Sequence, residues 1–538
     1  MNGSDAKHQV LFVLAAAVAY VLYDYYIRLN ILFPSALPLG LLAVVALCAA
    51  FSWVRYDRYS TSFKVFVRGL AAIIGAYAFM AFPAYPSVEA DFGGWKDTVV
   101  IGGWFVAAAS SVAALWRPSF VLVGGFYLWW SKHVATYVTG FHYHTTLDID
   151  PLIYVCAFVS MALFLLAALE HPLAGRARWK PFLDIRQGVI ERRRLLSDTI
   201  VFVAITMHLA NYFSSGLEKS ALSGGFFFWP LENDMSNIFN VAAVNGQLLW
   251  QEIPGALSAF SGFFDFVKRP MAISIFVFQI LAIIAFQSRK LLAFLFLFYD
   301  LMHLGIFLAV GANFWEWFIL NLIILAAAAR LDGRFFGRRA LAASAAGCLA
   351  VAVLPHPFWA AWLGWYDSRA ANITYFEAED ADGTRTRIPA TFFGFYSYPM
   401  AHMSFGVPPG RYLPVMTNGG TKNHGILSKA GSCDFAPEEM ISPFADMWSE
   451  RIPAFIRAYH LHALERRDSA WRLDYDIYPH HFWSKPSISQ KFRQLELSSV
   501  VAYVMRIESV CLTPRQTGIS TKQVIENEYR IDVRPHSD

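Results

Sequence analysis

Ionisable residues beside apolar segments are the places in this chain where chemistry is to be sought, because charge is costly there. Lys219 ends the segment Tyr212-Phe-Ser-Ser-Gly216-Leu-Glu-Lys219, in which small residues allow a neighbouring helix or ligand to come close. A lysine in an apolar pocket can lose its proton near neutral pH and act as a general base. The alternative is a lysine that extends to the water interface and anchors its helix.

Two further sets of residues have a functional and a structural interpretation. His144 lies in a loop before an apolar run, where it can orient or protonate a ligand or simply lie at the interface. Asp300 and His303 are three residues apart in the middle of another run and therefore share a helix face. An aspartate at bilayer depth needs a partner or a water-filled cavity, so a catalytic role and an interhelical hydrogen bond both stay open. No Cys or His pair has a convincing metal-site spacing.

Composition indicates that lipid surrounds much of the chain. Of 538 residues, 56% are hydrophobic and 16% charged, against about 25% charged in soluble proteins. The net charge of +4 is small, and its basic residues are spread over loops, which argues against a nucleic-acid partner. A bilayer core needs about 20 predominantly apolar residues in a helix. Eleven runs approach that length: Val10–Ile27, Leu37–Val54, Phe66–Phe82, Val99–Trp116, Val121–Tyr137, Pro151–Leu169, Thr199–Gly216, Met271–Phe286, Leu291–Val310, Trp315–Ala329 and Leu341–Leu363.

These runs predict a mainly α-helical, polytopic membrane domain over residues 1–364, with about eleven spans. A twelfth run, Ile238–Phe264, contains Pro254, Gly255 and Gly262, and we expect it to be re-entrant or to lie on the membrane surface. Seven Lys and Arg residues fall between Arg176 and Arg194, which places that loop in the cytoplasm. Counting spans from there puts the N-terminus in the cytoplasm and residues 365–538 outside it, in a plasma or inner membrane.

The composition and residue pattern of residues 365–538 predict a separate, strand-rich domain that faces water. Alternating, β-branched and aromatic residues predict strands near Asn372–Phe376, Thr386–Ile388, Val500–Ile507 and Tyr529–Val533. One amphipathic helix is predicted over Pro437–Arg466. Cys433 and Cys511 are the only cysteines of this domain, and outside the cell they can pair, although their spacing does not decide it.

The segment that ends at Lys219 resembles the Tyr-Phe-x-x-Gly-x-x-Lys motif of the vitamin K-dependent γ-carboxylase and its HTTM-domain relatives. His144-Thr-Thr-Leu147 resembles the family's upstream His-x-x-Leu segment. The stretch from Phe298 to Trp317, which contains Asp300 and His303, is similar to the family's membrane segment with its polar start and following Gly-x-x-Phe. The likeness covers about residues 141–329, and the family also places a strand-rich domain after its last span.

The resemblance implies a quinone-linked carboxylase or oxygenase. In that scheme Lys219 takes a proton from a reduced, vitamin K-like quinone, and dioxygen and carbon dioxide are co-substrates for carboxylation of a peptide or protein. His144 would support Lys219, and the outer domain would grip the substrate. Two other classes of protein stay open on the residues alone. One is a membrane scaffold or assembly factor, and the other is a small-molecule transporter, for which Pro254 marks the only helix break.

Overall fold

A computed structural model describes residues 3–32, 37–80, 96–129, 149–171, 187–188, 190, 192–222, 224–354, 364–396, 410–415, 423–441, 451–468, 483–515 and 518–533. Up to residue 353 these residues form helices, and a four-stranded antiparallel sheet follows from residue 370. The prediction of a helical part followed by a strand-rich part is therefore confirmed.

The helical part contains thirteen helices within the described residues. They are α1 (Gly3–Leu32), α2 (Leu37–Ala50), α3 (Thr61–Met80), α4 (Lys96–Ala114), α5 (Pro118–Trp129), α6 (Asp150–Glu170), α7 (Arg193–Ser220), α8 (Phe228–Glu232), α9 (Ser236–Val244), α10 (Ala256–Leu281), α11 (Arg289–Val310), α12 (Trp315–Ala328) and α13 (Arg338–Val353). A short 3-10 helix, Ala282–Gln287, extends α10.

Five helices of the described part are long and apolar enough to cross a membrane, so the count of eleven spans is not supported. They cover Ala6–Leu29, Asp150–Glu170, Arg193–Ser220, Ala256–Gln287 and Arg289–Val310. Four more apolar helices have only 10 to 17 residues. At about 1.5 Å per residue such helices are shorter than the roughly 30 Å hydrocarbon core. The predicted runs Leu37–Val54 and Trp315–Ala329, for example, form helices of only 14 residues each.

The segment expected to be re-entrant is also different in the structure. Gly255, with φ of +74°, precedes α10 rather than breaking it, and α10 continues through Pro270 to Leu281. The predicted run Met271–Phe286 is therefore the second half of a longer helix. Pro254 and Gly255 form the turn before that helix, because a left-handed residue is accommodated at a helix boundary.

Helix α7 is the centre of the bundle and packs against α1, α3, α6, α10 and α13. Gly216 permits the close approach of α10. A Cβ atom at this position would lie 2.9 Å from Cδ1 and 3.2 Å from the backbone nitrogen of Ile280 on α10. Deeper in the membrane, the hydroxyl of Thr206 donates hydrogen bonds to Phe202 O and, at 3.3 Å, to Ser344 on α13. Small side chains thus hold two neighbours against α7.

The sheet has the strand order β2-β1-β3-β4, with β1 (Ala370–Asp380), β2 (Arg385–Arg387), β3 (Val500–Arg515) and β4 (Gly518–Asp532). All three pairings are antiparallel, and each predicted strand overlaps one of these. Helices α14 (His424–Ser432), α15 (Arg451–Asp468) and α16 (Pro486–Gln494) accompany the sheet. One face of the sheet buries the aromatic residues Phe376, Phe392 and Tyr503.

Two predictions for residues 365–538 have different outcomes. The helix expected over Pro437–Arg466 is wrong at its start, because Pro437–Glu439 forms a single 3-10 turn and Ile441 pairs in a β-bridge with Tyr412. The helix itself begins at Arg451 in the described residues. Cys433 and Cys511 form a disulfide, with their Cα atoms 5.9 Å apart. This cross-link joins the end of α14 to β3.

The sheet packs onto the end of the bundle at which α7 terminates with Lys219. Val241 of α9 lies in one apolar cluster with Ile373 of β1 and Val510 of β3. Arg387 of β2 donates hydrogen bonds to the backbone and side-chain oxygens of Asn245, at 2.7 and 3.0 Å. The predicted site lysine and the sheet therefore lie at the same end of the apolar helices.

Candidate active site

Lys219 is buried in the last turn of α7, with 1% of its surface exposed. Its Nζ lies 4.5 Å from the ring centre of Trp365 and 5.1 Å from that of Trp229. It also donates a hydrogen bond of 3.4 Å to the backbone oxygen of Ser215. Indole faces attract a cation at these distances. The amine is therefore enclosed by the protein, and it does not extend to water as an anchoring lysine would.

The amine borders a cavity of about 60 Å³, which has room for a few water molecules. Apolar and aromatic side chains dominate the wall, and the polar groups on it are few. The lining residues are Tyr212, Ser215, Lys219, Trp229, Met235, Ile275, Gln279, Met302, His303, Ile306, Phe314, Trp317 and Trp365. They come from α7, α8, α10, α11 and α12, from the residues just before α9 and α12, and from the segment that leads to the sheet.

His303 faces this cavity, as its place in the sequence suggested. Its ring stacks on Phe314 with 5.2 Å between centres and meets Trp317 edge-on at 5.6 Å. Within the described part of the chain, Nδ1 of His303 is buried and has no hydrogen-bond partner. An imidazole nitrogen held in this way can bond to a polar group placed in the cavity. The structure thus brings two of the predicted site residues, Lys219 and His303, to one cavity.

Asp300 points elsewhere and takes the structural role that the sequence left open. Nδ2 of Asn321 on α12 donates to Oδ1 of Asp300 at 2.7 Å and to the Tyr212 hydroxyl at 3.0 Å. Oδ1 of the same amide lies 2.8 Å from Nε2 of His208. Asp300 therefore reaches the cavity only through Asn321 and Tyr212. The interhelical hydrogen bond expected as one of its two roles is present.

Tyr212 is positioned by a second contact. Its ring stacks on Tyr299 of α11 with 3.7 Å between centres and 10° between planes. The hydroxyl of Tyr299 in turn donates to the backbone oxygen of Phe278 at 2.8 Å. Stacking on one side and the amide of Asn321 at the hydroxyl fix the orientation of Tyr212 in the cavity wall.

Asp367 is a buried carboxylate near Lys219 that sequence reasoning missed. Nδ2 of Asn233 donates to its Oδ2 at 2.8 Å, and its own backbone N–H donates to Oδ1 of Asn233 at 2.7 Å. Among the described residues, Oδ1 of Asp367 accepts no hydrogen bond. Burial raises the pKa of Asp367 to about 7, although the bond from Asn233 and the nearby charge of Lys219 lower it.

Other members of the site were also missed, and only some left a signal in the sequence. Asn321 is a single amide in the apolar run Trp315–Ala329, and an isolated polar residue in a span indicates an interhelical bond. Trp229 lies in the short helix α8 and Trp365 in the segment before β1, so five helices, α9 to α13, separate them along the chain and no spacing predicted that both would contact Lys219. His144 falls outside the described residues, so its proximity to Lys219 stays a prediction.

No metal site is found among the residues that the structure describes, since nowhere do three His, Cys, Asp or Glu side chains converge. Comparison of the chain with models of protein families, with curated proteins and with solved structures finds no match. The resemblance to the γ-carboxylase and HTTM proteins therefore rests on the quoted residues alone.

Proposed function

We propose that this chain is a membrane enzyme in which Lys219 acts as a base on an aromatic, weakly acidic substrate that is soluble in lipid. Following the resemblance, we propose a reduced quinone as that substrate and carboxylation of a peptide or protein as the coupled reaction. The observation that carries the proposal is the buried amine of Lys219, which shares one aromatic cavity with Tyr212 and His303.

The residues of the cavity fit a quinone head group in their chemistry. Its wall is almost wholly apolar, as ligand sites for aromatic molecules usually are, and its few polar side chains come from α7, α10 and α11. A two-ring head group is larger than about 60 Å³, so side chains must move to admit it. Met235 and Met302 are the flexible members of the wall and suit that movement. When bound, the reduced quinone supplies an acidic hydroxyl and the oxidation that drives carboxylation.

The surroundings of Lys219 favour the charge that proton abstraction creates. An amine that accepts a proton becomes an ammonium ion, and the faces of Trp229 and Trp365 stabilise such an ion. Preorganised groups of this kind lower the barrier because they need no rearrangement during the reaction. Closure of the site against water also protects a strong base from being quenched.

The ammonium ion formed in this way must lose its proton before the next turnover, so the site needs a group that takes the proton away. Asp367 is a buried carboxyl with a pKa near 7 and lies close enough for Lys219 to affect it. We assign it the role of proton acceptor for Lys219. His303 and Tyr212 would orient the bound hydroxyl, because both line the cavity and both are fixed by ring contacts.

The proposal also includes the finer topology, with the N-terminus in the cytoplasm and the outer domain outside it, in a plasma or inner membrane. The packing of the sheet at the Lys219 end of the bundle is consistent with a peptide or protein substrate that binds the outer domain and reaches the cavity mouth. No nucleic acid takes part in this scheme.

The test uses the purified full-length protein in lipid nanodiscs with a chemically reduced vitamin K or menaquinone. Oxygen uptake and incorporation of labelled carbon dioxide into an added glutamate-rich peptide are measured. Lys219→Ala should lower turnover by about 10²-fold or more, the typical contribution of a general base. Lys290→Ala is the matched control, because Lys290 is exposed at the start of α11. Full turnover in Lys219→Ala, or none in the wild type, would refute the proposal and favour a scaffold.

A further inference from the structure

The end of α7 opposite Lys219 carries a polar pocket of about 540 Å³. The pocket lies between the start of α7 and the turn that links α12 to α13. Its lining residues are Ile190, Arg192, Arg193, Arg194, Leu195, Asp198, Asp332 and Arg334. Nothing in the proposed reaction at Lys219 uses this pocket.

The pocket has an excess of positive charge. Asp332 is engaged by Arg334, whose Nε lies 3.1 Å from its carboxylate and whose backbone N–H donates to it at 2.9 Å. These bonds lower the pKa of Asp332. Asp198 accepts a hydrogen bond from the hydroxyl of Ser62. Within the described residues, no carboxylate forms an ion pair with Arg193 or Arg194.

The start of α7 adds to the attraction for an anion. Arg192 occupies the N-cap position without a side-chain capping bond, and the first turn contains no acidic residue. The N-terminus of a helix carries a partial positive charge. Arginines at this end of the helix are repelled by that charge. An anion bound between them would offset the charge of the arginines and the partial charge of the helix.

The length of α7 sets the depth of the pocket in the membrane. Its 28 residues span roughly 42 Å at 1.5 Å per residue. A bilayer with its headgroups is about 40–45 Å thick. If Lys219 lies at one headgroup level, the arginines at the other end of the same helix lie at the headgroup level of the opposite leaflet. Lipid phosphates are concentrated at that depth.

We infer that this pocket binds the phosphate group of an anionic phospholipid through Arg193 and Arg194. The planar guanidinium group matches phosphate oxygens with two parallel hydrogen bonds, which a hydrated lysine cannot do. Basic pockets between membrane helices are suited to such headgroups. The volume of about 540 Å³ admits a headgroup together with several water molecules. The inference is independent of the activity proposed for Lys219.

The test measures binding of phosphatidylglycerol to the full-length protein in neutral detergent, by native mass spectrometry and by the thermal unfolding midpoint. Phosphatidylcholine and inorganic phosphate are the comparison ligands. Arg193→Gln with Arg194→Gln should weaken phosphatidylglycerol binding about tenfold or more. The control, Arg338→Gln with Arg339→Gln, removes the same charge from exposed residues at the start of α13, outside the pocket.

We expect the control pair to bind phosphatidylglycerol within twofold of the wild type. Phosphatidylcholine should bind both the wild type and the control pair more weakly than phosphatidylglycerol does. Arg194→Gln alone, at an exposed position, serves if the double variant does not fold. Equal weakening in both pairs would show a general surface charge and overturn the inference. Displacement of the lipid by millimolar inorganic phosphate would also overturn it, because the ligand would then be a soluble anion.

Discussion

Asp300 and Asn321 are joined by a hydrogen bond of 2.7 Å between α11 and α12. Asn321 shares its amide with Tyr212 and His208 of α7, so one side chain connects three helices. The aspartate is thus one residue removed from the cavity at Lys219, and it acts on that cavity through the orientation of Tyr212. An aspartate in an apolar helix therefore has the hydrogen-bonded partner that its depth requires.

Asn321→Leu should destabilise the protein by about 2–4 kcal/mol, because several buried polar groups lose their partner at once. The measurement is chemical or thermal unfolding in detergent. Leu322→Ala provides the control, since Leu322 is the next residue of α12 and is exposed on the bundle surface. If Asn321→Leu unfolds at the same denaturant concentration as the wild type, the shared amide contributes nothing to stability.

Gly216→Ala should separate α7 from α10 and cost about 1–3 kcal/mol, as overpacked sites do. The added methyl group would meet Ile280 at distances of 2.9 and 3.2 Å, the second to its backbone. Gly305→Ala is matched to it, because Gly305 is also helical and no atom of the described residues lies within 4 Å of the place that its methyl group would take. The measurement is the unfolding midpoint of both variants. Equal midpoints would show that α7 and α10 can move apart without loss of stability.

The parts of the fold that the sequence predicted are those governed by local pattern. Alternation of β-branched and aromatic residues located all four strands, and the polar residues Lys219 and His303 proved to share one cavity. The count of eleven spans is not supported by the described residues, because apolar composition does not set where a helix ends. The Pro-Glu-Glu start at Pro437 likewise forms only one 3-10 turn before the chain becomes extended at Ile441.

The unpredicted members of the site come together through contacts that are distant along the chain. Trp365 reaches Lys219 across 146 positions, and Asn233 bonds to Asp367 across 134. The spacing of residues within one helix or strand does not predict contacts between residues so far apart in the sequence. Asn321 was open to prediction as a single amide in an apolar helix, but its three partners were not, since they depend on how α7, α11 and α12 cross.

Asp367 should make the folded protein less stable as the pH rises. Its pKa is about 7 in the folded state against 3.8 for the free group, so between these values the folded state holds a proton that the unfolded state has lost. Its contribution is fully present below about pH 4 and disappears as the pH passes 7. The change is on the order of 4 kcal/mol.

Asp367→Asn should remove this dependence and keep the bonds to Asn233, because the amide oxygen can replace the carboxylate oxygen. The measurement is the unfolding free energy of both proteins at pH 5 and pH 8. We expect the stability of the variant relative to the wild type to be greater at pH 8 than at pH 5. A constant difference between the two proteins at both pH values would contradict the assignment.

His460 should produce the opposite pH dependence in the outer domain. Burial lowers its pKa to about 4, and its Nδ1 lies 3.0 Å from the hydroxyl of Tyr503. The unfolded state binds the proton first as the pH falls below about 6.5, so stability is lost between that value and pH 4. The loss reaches about 3 kcal/mol. His460→Gln should flatten the profile, whereas His424→Gln, at an exposed position, should leave it unchanged. Parallel profiles in all three proteins would contradict the prediction.

The disulfide between Cys433 and Cys511 closes a separation of 78 residues and ties α14 to the sheet. A cross-link of this span restricts the unfolded chain, so Cys433→Ser with Cys511→Ser should lower stability by about 2–5 kcal/mol. Dithiothreitol should destabilise the wild type by the same amount and leave the double variant unchanged. Disulfides persist in oxidising compartments, and the proposed topology places these cysteines there. Recovery of the protein from cells with both thiols free to alkylation would contradict the bond and the placement of the outer domain together.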